Sequence, residues 1–251
     1  MNFASLKALS IPEGVVTKIE REGMVLFEVS SGVPIGDIPV GSSVYLKVNG
    51  YSTEFIVVQQ GNPDSSMYDD TCDGTWLLMN PLYTKRAWDN SINDYEKSDI
   101  HAYLNGTFLG LLDSGIQAAV KQIKLPYQKG TGSGGSVVSG ADGLPTKVFL
   151  LSAYEMGWST SVTQYFPVDG SCLSYFVGTA SGSDTKRVAY YSGSATIWWL
   201  RSPNKSSSSN VWRVSTTGNY SGAGCTGTYG VRPALVLPKD TMVDSEFNVI
   251  A

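Results

Sequence analysis

Four places in this chain carry residue types that can do chemistry. Gly130-Thr131-Gly132-Ser133-Gly134-Gly135 has the G-x-G-x-x-G spacing of a dinucleotide loop. Such a loop needs a strand before it and a helix after it, whose first N–H groups hold the pyrophosphate. Here Pro126 precedes it and an irregular stretch follows, so it reads as a plain loop. Asp69-Asp70-Thr71-Cys72-Asp73-Gly74 begins like a calcium loop. The twelfth position is Asn80 instead of Glu, and the segment runs into a strand instead of a helix. A solvated acidic turn is the better reading. His101 is the only histidine, with no Ser or Cys nucleophile motif around it, so no triad can be assembled. Cys72, Cys172 and Cys225 are odd in number and widely spaced. That is neither a zinc pattern nor a disulfide framework, and three free thiols made in a reducing cytoplasm are expected. No catalytic residue, metal ligand or cofactor is assigned.

Composition narrows the function classes further. Hydrophobic residues make up 42% of the 251, enough for a sizeable core, while charged residues are only 16%. The net charge of −4, without a basic cluster, argues against nucleic acid as a partner. No run approaches 18 apolar residues, so no membrane span is expected, and no secretory leader is visible. The 27 Gly and 14 Tyr point to a loop-rich protein with exposed aromatics.

The elements that must position any site follow in order. Residues 1–36 read as a small attachment unit, with strands at Ile11–Ile19 and Met24–Glu28 around a turn at Glu20–Gly23. The main domain, 37–251, opens with a hairpin: Ser43–Val48 and Thr53–Val58 flank Asn49-Gly50, a strong turn signal. Thr75–Met79 is a third strand. Ser98 can cap a helix reaching about Leu104, and Ser114 can cap one ending before Pro126. Lys129–Gly143 is a Gly/Ser-rich loop. Val148–Leu151 is a buried-type strand, and Ser152–Glu155 has the form of a capping box opening a short helix. Strands, then helices, then strands, without βαβ alternation, predict an α+β chain with an antiparallel sheet and short helices.

The most informative stretch runs from Tyr190 to Leu237. Rigid blocks, Trp198-Trp199-Leu200-Arg201-Ser202-Pro203, Trp212-Arg213-Val214 and Gly230-Val231-Arg232-Pro233-Ala234-Leu235, read as strands. Trp199, Arg201 and Arg232 are assigned to the core, since forked arginine donors can tie loop carbonyls together. Between the blocks lie runs of Asn, Ser, Thr, Gly and Tyr, including Asn204–Asn210 and Asn219–Gly222, which read as exposed loops. Tyr and Trp offer contact area at low entropic cost, and Ser and Asn offer adaptable hydrogen bonds. The candidate ligand-binding residues are therefore Tyr190, Tyr191, Asn204, Lys205, Ser207, Asn210, Trp212, Ser215, Asn219, Tyr220 and Tyr229.

These blocks resemble the end of a C-type-lectin-like fold, in the branch that includes formylglycine-generating enzymes and the variable proteins of diversity-generating retroelements. They are similar to WWLRSP and GVRPAL segments of phage-tail and gut-bacterial proteins. The resemblance covers roughly Ile38 to Pro238. It implies a non-catalytic receptor-recognition protein displaying a diversified surface at Tyr190–Tyr229 on a phage tail or bacterial surface. The implied ligand is a cell-surface protein or glycan, and the 1–36 unit would contact a phage tail or fibre partner. The calcium-dependent sugar site of lectins is not implied, because Ala87-Trp88-Asp89-Asn90 has a different order and place from their W-N-D signature. The formylglycine-generating enzymes use a closely placed cysteine pair near the C-terminal strands; only Cys225 stands there, so the enzymatic alternative is weak. A structural baseplate or fibre subunit without variable recognition is the other alternative.

Overall fold

A computed structural model describes residues 32–251 and, as backbone strands, residues 18–21 and 24–28. Ten strands build two sheets: β1 (Ser43–Val48), β2 (Tyr51–Gln60), β3 (Thr75–Met79), β4 (Thr84–Arg86), β5 (Val148–Phe149), β6 (Trp198–Pro203), β7 (Asn210–Val214), β8 (Tyr220–Gly224), β9 (Tyr229–Val231) and β10 (Ala234–Leu237). The first sheet has the order β5-β10-β3-β2-β1 and the second β8-β7-β6-β9-β4. All neighbours are antiparallel except β6 and β9. The chain crosses between sheets four times, and the two short crossings, at 80–83 after β3 and at Arg232-Pro233 after β9, let the sheets curve into one another as a half-barrel.

The first sheet is buried on both sides. β3 has no exposed residue, and alternation sends Leu77 and Met79 into one core and Trp76 and Leu78 into the other. The first core is closed by α1 (Asp99–Tyr103), through Ile100, Leu104 and Phe108. The second is closed by the irregular stretch after β5, through Met156, Trp158, Phe166 and Phe176.

The expected α+β class with a C-type-lectin-like fold is corrected here: the protein is mostly β, with 34% of residues in strands against 17% helical, in multiple antiparallel sheets. The physical reason lies in the segments read as helices. Ser98 caps α1 as expected, accepting from the His101 N–H. The helical run continues through a π turn and a 3₁₀ turn to Leu111, and is the one long run among the described residues. α2 (Ser114–Ala119) stops early, and Ile123–Leu125 becomes a strand against Leu144–Thr146. The Ser152–Glu155 capping box forms its reciprocal bonds, Glu155 N–H to Ser152 Oγ and Ser152 N–H to Glu155 Oε2, yet only one turn follows. Glu155 is claimed instead by Arg201, 2.5 Å away. The Lys129–Gly143 loop also folds back, with Ser136–Val138 pairing Tyr127–Lys129. Tyr220–Gly222, expected as part of a loop, enters the edge strand β8.

Other expectations match in detail. Asn49 and Gly50 both have positive φ, 51° and 78°, as a two-residue hairpin turn requires. At the amino end Lys18–Arg21 pairs with Met24–Glu28, so Glu20 and Arg21, expected in the Glu20–Gly23 turn, belong to the strand; Ile11–Thr17 and residues 22–23 lie outside the described residues. Among the described residues no helix is long and apolar enough to cross a membrane.

Candidate functional site

The residues singled out for chemistry sit in structural roles. The Asp69 carboxylate accepts the Thr71 N–H and caps a 3₁₀ turn. Gly132 of the glycine-rich loop donates to Asn93 Oδ1 at 3.2 Å, and its flank packs on Ser207 and Ser208. His101 is half-buried beside Thr146 Oγ1 at 3.3 Å, and burial lowers its pKa against the opposing pull of Glu96. Cys72 and Cys225 are buried and Cys172 is exposed, all unbridged.

The strongly perturbed groups form an interior network. The guanidinium of Arg201 grips both oxygens of Glu155, at 2.5 and 2.6 Å, and donates to the carbonyls of Pro126, Leu150 and Asp169. Tyr68 donates to Glu155 at 2.8 Å, and Ser202 donates to the Asp169 carboxylate. Arg201, Glu155, Asp169 and Ser202 are all 0% exposed. The chain here makes few ladders, so buried carbonyls need side-chain donors, and arginine supplies several from one plane. Arg187 does the same for Met156, Ala180 and Gly182 while lying over the Trp158 ring.

Burial pushes the Asp169 carboxyl up to about 7; Arg201 and Ser202 pull it back and Glu155 adds to it. An unfolded Asp titrates near 3.9. The raised folded value means this group's stabilisation is fully present below about pH 3.9 and is lost as pH rises through about 7. Asp169→Asn is therefore expected to flatten the loss of unfolding free energy between about pH 4 and 7. A difference from wild type that stays constant across that window, measured by urea denaturation, would contradict this.

The candidate ligand-binding residues divide among four places. Asn204, Lys205, Ser207, Asn210, Trp212 and Tyr220 gather on one side of the β7–β8 hairpin. Alternation puts Asn210 and Trp212 on the same face, opposite Gly224 and Gly222 of β8. A Cβ at Gly222 would stand 3.7 Å from Asn204 Nδ2 and 3.9 Å from the Trp212 ring, so the three are neighbours around a bare stretch of edge strand. Trp212 is 7% exposed, its ring centroid 4.6 Å from that of Phe166. Tyr220 is half-buried, edge-on to Trp158, Phe166 and Trp212. Ser215 and Asn219 shape the turn at the hairpin's end, where Gly218 has φ +76° and approaches Asp184 too closely for any side chain. Tyr190 and Tyr191 form a separate small hairpin with Ser194 and Ala195, against Lys85. Tyr229 lies on the opposite face of the second sheet, over Trp199.

Two members of the main cluster escaped sequence reasoning. Tyr165 is 42% exposed, and its carbonyl accepts the Lys205 N–H at 3.0 Å. Asn93, 0% exposed, spends its amide on the carbonyls of Ser207 and Asn210 and so holds the 204–210 loop to the glycine-rich loop. Neither sits in a periodic or motif-bearing segment, so nothing local marks it.

Residues 73–239, from just before β3 to just past β10, match a family model described as a domain of unknown function (DUF6273). No curated protein and no solved structure matches the chain.

Proposed function

The chain belongs to the DUF6273 family, and from that footing we propose that it is a non-catalytic recognition protein that binds a cell-surface protein or glycan through the β7–β8 hairpin. The observation that carries this is the gathering of Asn204, Trp212 and Gly222 within contact of one another, with Lys205, Asn210, Tyr220 and Tyr165 around them. Amide groups, one cation and aromatic edges over an exposed strand offer hydrogen bonds and rigid contact area together. The non-catalytic reading draws support from the network around Arg201, whose perturbed groups are sealed from any substrate. Buried Trp199, Arg201 and Arg232 behind half-exposed Asn, Ser and Tyr are what a diversified display face needs, since exchange at the surface leaves the fold alone. We carry placement on a phage tail or bacterial surface as part of the same proposal.

The test uses positions whose loss spares the core. Tyr165→Ala and Asn210→Ala, screened against intact bacterial cells and an immobilised set of surface glycans, are expected to lose about tenfold or more in binding. Their melts should stay close to wild type. Retained binding in both variants would defeat the proposal. A template repeat beside a reverse transcriptase gene separates variable recognition from a purely structural fibre subunit.

A further inference from the structure

The opposite face of the second sheet carries a different set of groups. Strand order places Arg213 on β7, Trp199 on β6, Tyr229 on β9 and Arg86 on β4, all on one side by alternation. Trp199 is the buried floor, 0% exposed, with Tyr229 edge-on above it at 4.8 Å. Arg213 reaches across that floor until its Cζ stands 4.2 Å from the Tyr229 ring centroid, and its Nε donates to Ser221 Oγ. Arg86, the ladder partner of Tyr229, lies in turn over Tyr103 of α1 at 3.9 Å. The result is a row, Arg213, Tyr229, Arg86, Tyr103, each member half-exposed.

Neither arginine has a carboxylate within 4.0 Å among the described residues; the ion pairs found there use other cations. Asp99 shares a shallow depression with Arg86, Ala102, Tyr103, Gly106 and Thr107, but does not pair with Arg86. Among the described residues the Nε of Arg86 is enclosed and has no acceptor. Leaving a charged donor unmet is costly. A guanidinium stacked on a ring is held flat with its N–H edge open, the geometry that takes a planar or tetrahedral oxyanion two-pronged.

We infer that this face is a binding site for an acidic polysaccharide, with Arg86 and Arg213 each taking one carboxylate or sulfate group. It lies on the far side of the sheet from the amide surface and does not rest on that reading. Charge density selects the ligand class. Two cations set apart by a tyrosine, in a protein of net charge −4, suit anions spaced by sugar rings. Duplex nucleic acid, with a charge about every 1.7 Å, would meet mostly repulsion. A uronate carboxylate is fixed to its ring, whereas acidic peptide side chains would each lose rotamer freedom in ordering.

The experiment is affinity electrophoresis through gels containing polygalacturonate, dextran sulfate or neutral dextran. The intact protein should be retarded by the two acidic polymers and not by dextran. Arg213→Gln should weaken that retardation about tenfold, and Arg86→Gln likewise. Lys47→Gln, at an exposed position of β1 in the first sheet, should leave it unchanged. Among the described residues Arg213 bonds only Ser221 through its side chain, so its variant decides the matter even if Arg86→Gln unfolds. Unchanged retardation of Arg213→Gln would overturn the site. Retardation by poly-L-glutamate as strong as by polygalacturonate would overturn the glycan assignment in favour of an acidic polypeptide. Full release by millimolar sodium sulfate, with sodium chloride of equal ionic strength inert, would reduce it to a site for a free oxyanion.

Discussion

Arg201→Ala is expected to lower the unfolding free energy by about 3–5 kcal/mol, the range for removing one partner of a buried ion pair. That is a large part of a typical domain's roughly 5–15 kcal/mol. The effect has two sources. Glu155, 0% exposed, would keep a buried charge with only Tyr68 and one backbone N–H beside it. The carbonyls of Pro126, Leu150 and Asp169 would also lose their donor. Glu155→Ala should cost a similar amount, and the double variant should cost clearly less than the two added together, because the charges share one penalty. Urea titrations of the three variants measure this. An Arg201→Ala loss below about 1 kcal/mol would mean that water reaches the network on unfilling, and that the burial argued here is not maintained.

Trp199→Ala is the second large loss, about 3–5 kcal/mol by the usual large-to-small range. Trp199 is 0% exposed, and its indole N–H donates to the Arg86 carbonyl at 3.0 Å. It supports Tyr229 and hence the Arg213 stack, so the same substitution should also weaken retardation by polygalacturonate. Thermal melts against Asn219→Ala provide the contrast, since Asn219 is half-buried at a turn and should cost less than about 1 kcal/mol. Asn204 should fall between them. It is 9% exposed, and its side-chain oxygen holds both the N–H and the hydroxyl of Ser206. A Trp199→Ala loss no larger than that of Asn219→Ala would contradict the two-sided core.

Local chemistry was enough to read several of the strands. The Asn49-Gly50 hairpin, Thr75–Met79 and the WWLRSP, VWRV and GVRPALVL blocks follow from turn residues with positive φ and from apolar, β-branched runs. The burial of Trp199, Arg201 and Arg232 was legible for the same reason, since large rings and arginines inside rigid blocks seldom face water together. What local chemistry could not decide was the class of the fold. The capping box at Ser152–Glu155 is satisfied, yet Glu155 bonds an arginine 46 residues away, and the helix it announces ends after one turn. Asn219–Gly222 has loop composition, yet Tyr220–Gly222 pairs with Val214, Arg213 and Trp212 and becomes an edge strand. The candidate surface divides in the same way. Asn204, Lys205, Asn210, Trp212 and Tyr220 could be picked out by residue type, because amides and aromatics between rigid blocks suit contact. Which of them share a face was set by strand alternation and sheet order, which put Tyr229 on the far side with Arg86, 143 positions earlier in the chain. Tyr165 and Asn93 joined the site, and Arg213 and Arg86 formed their row, through pairings between distant segments that no window of sequence contains.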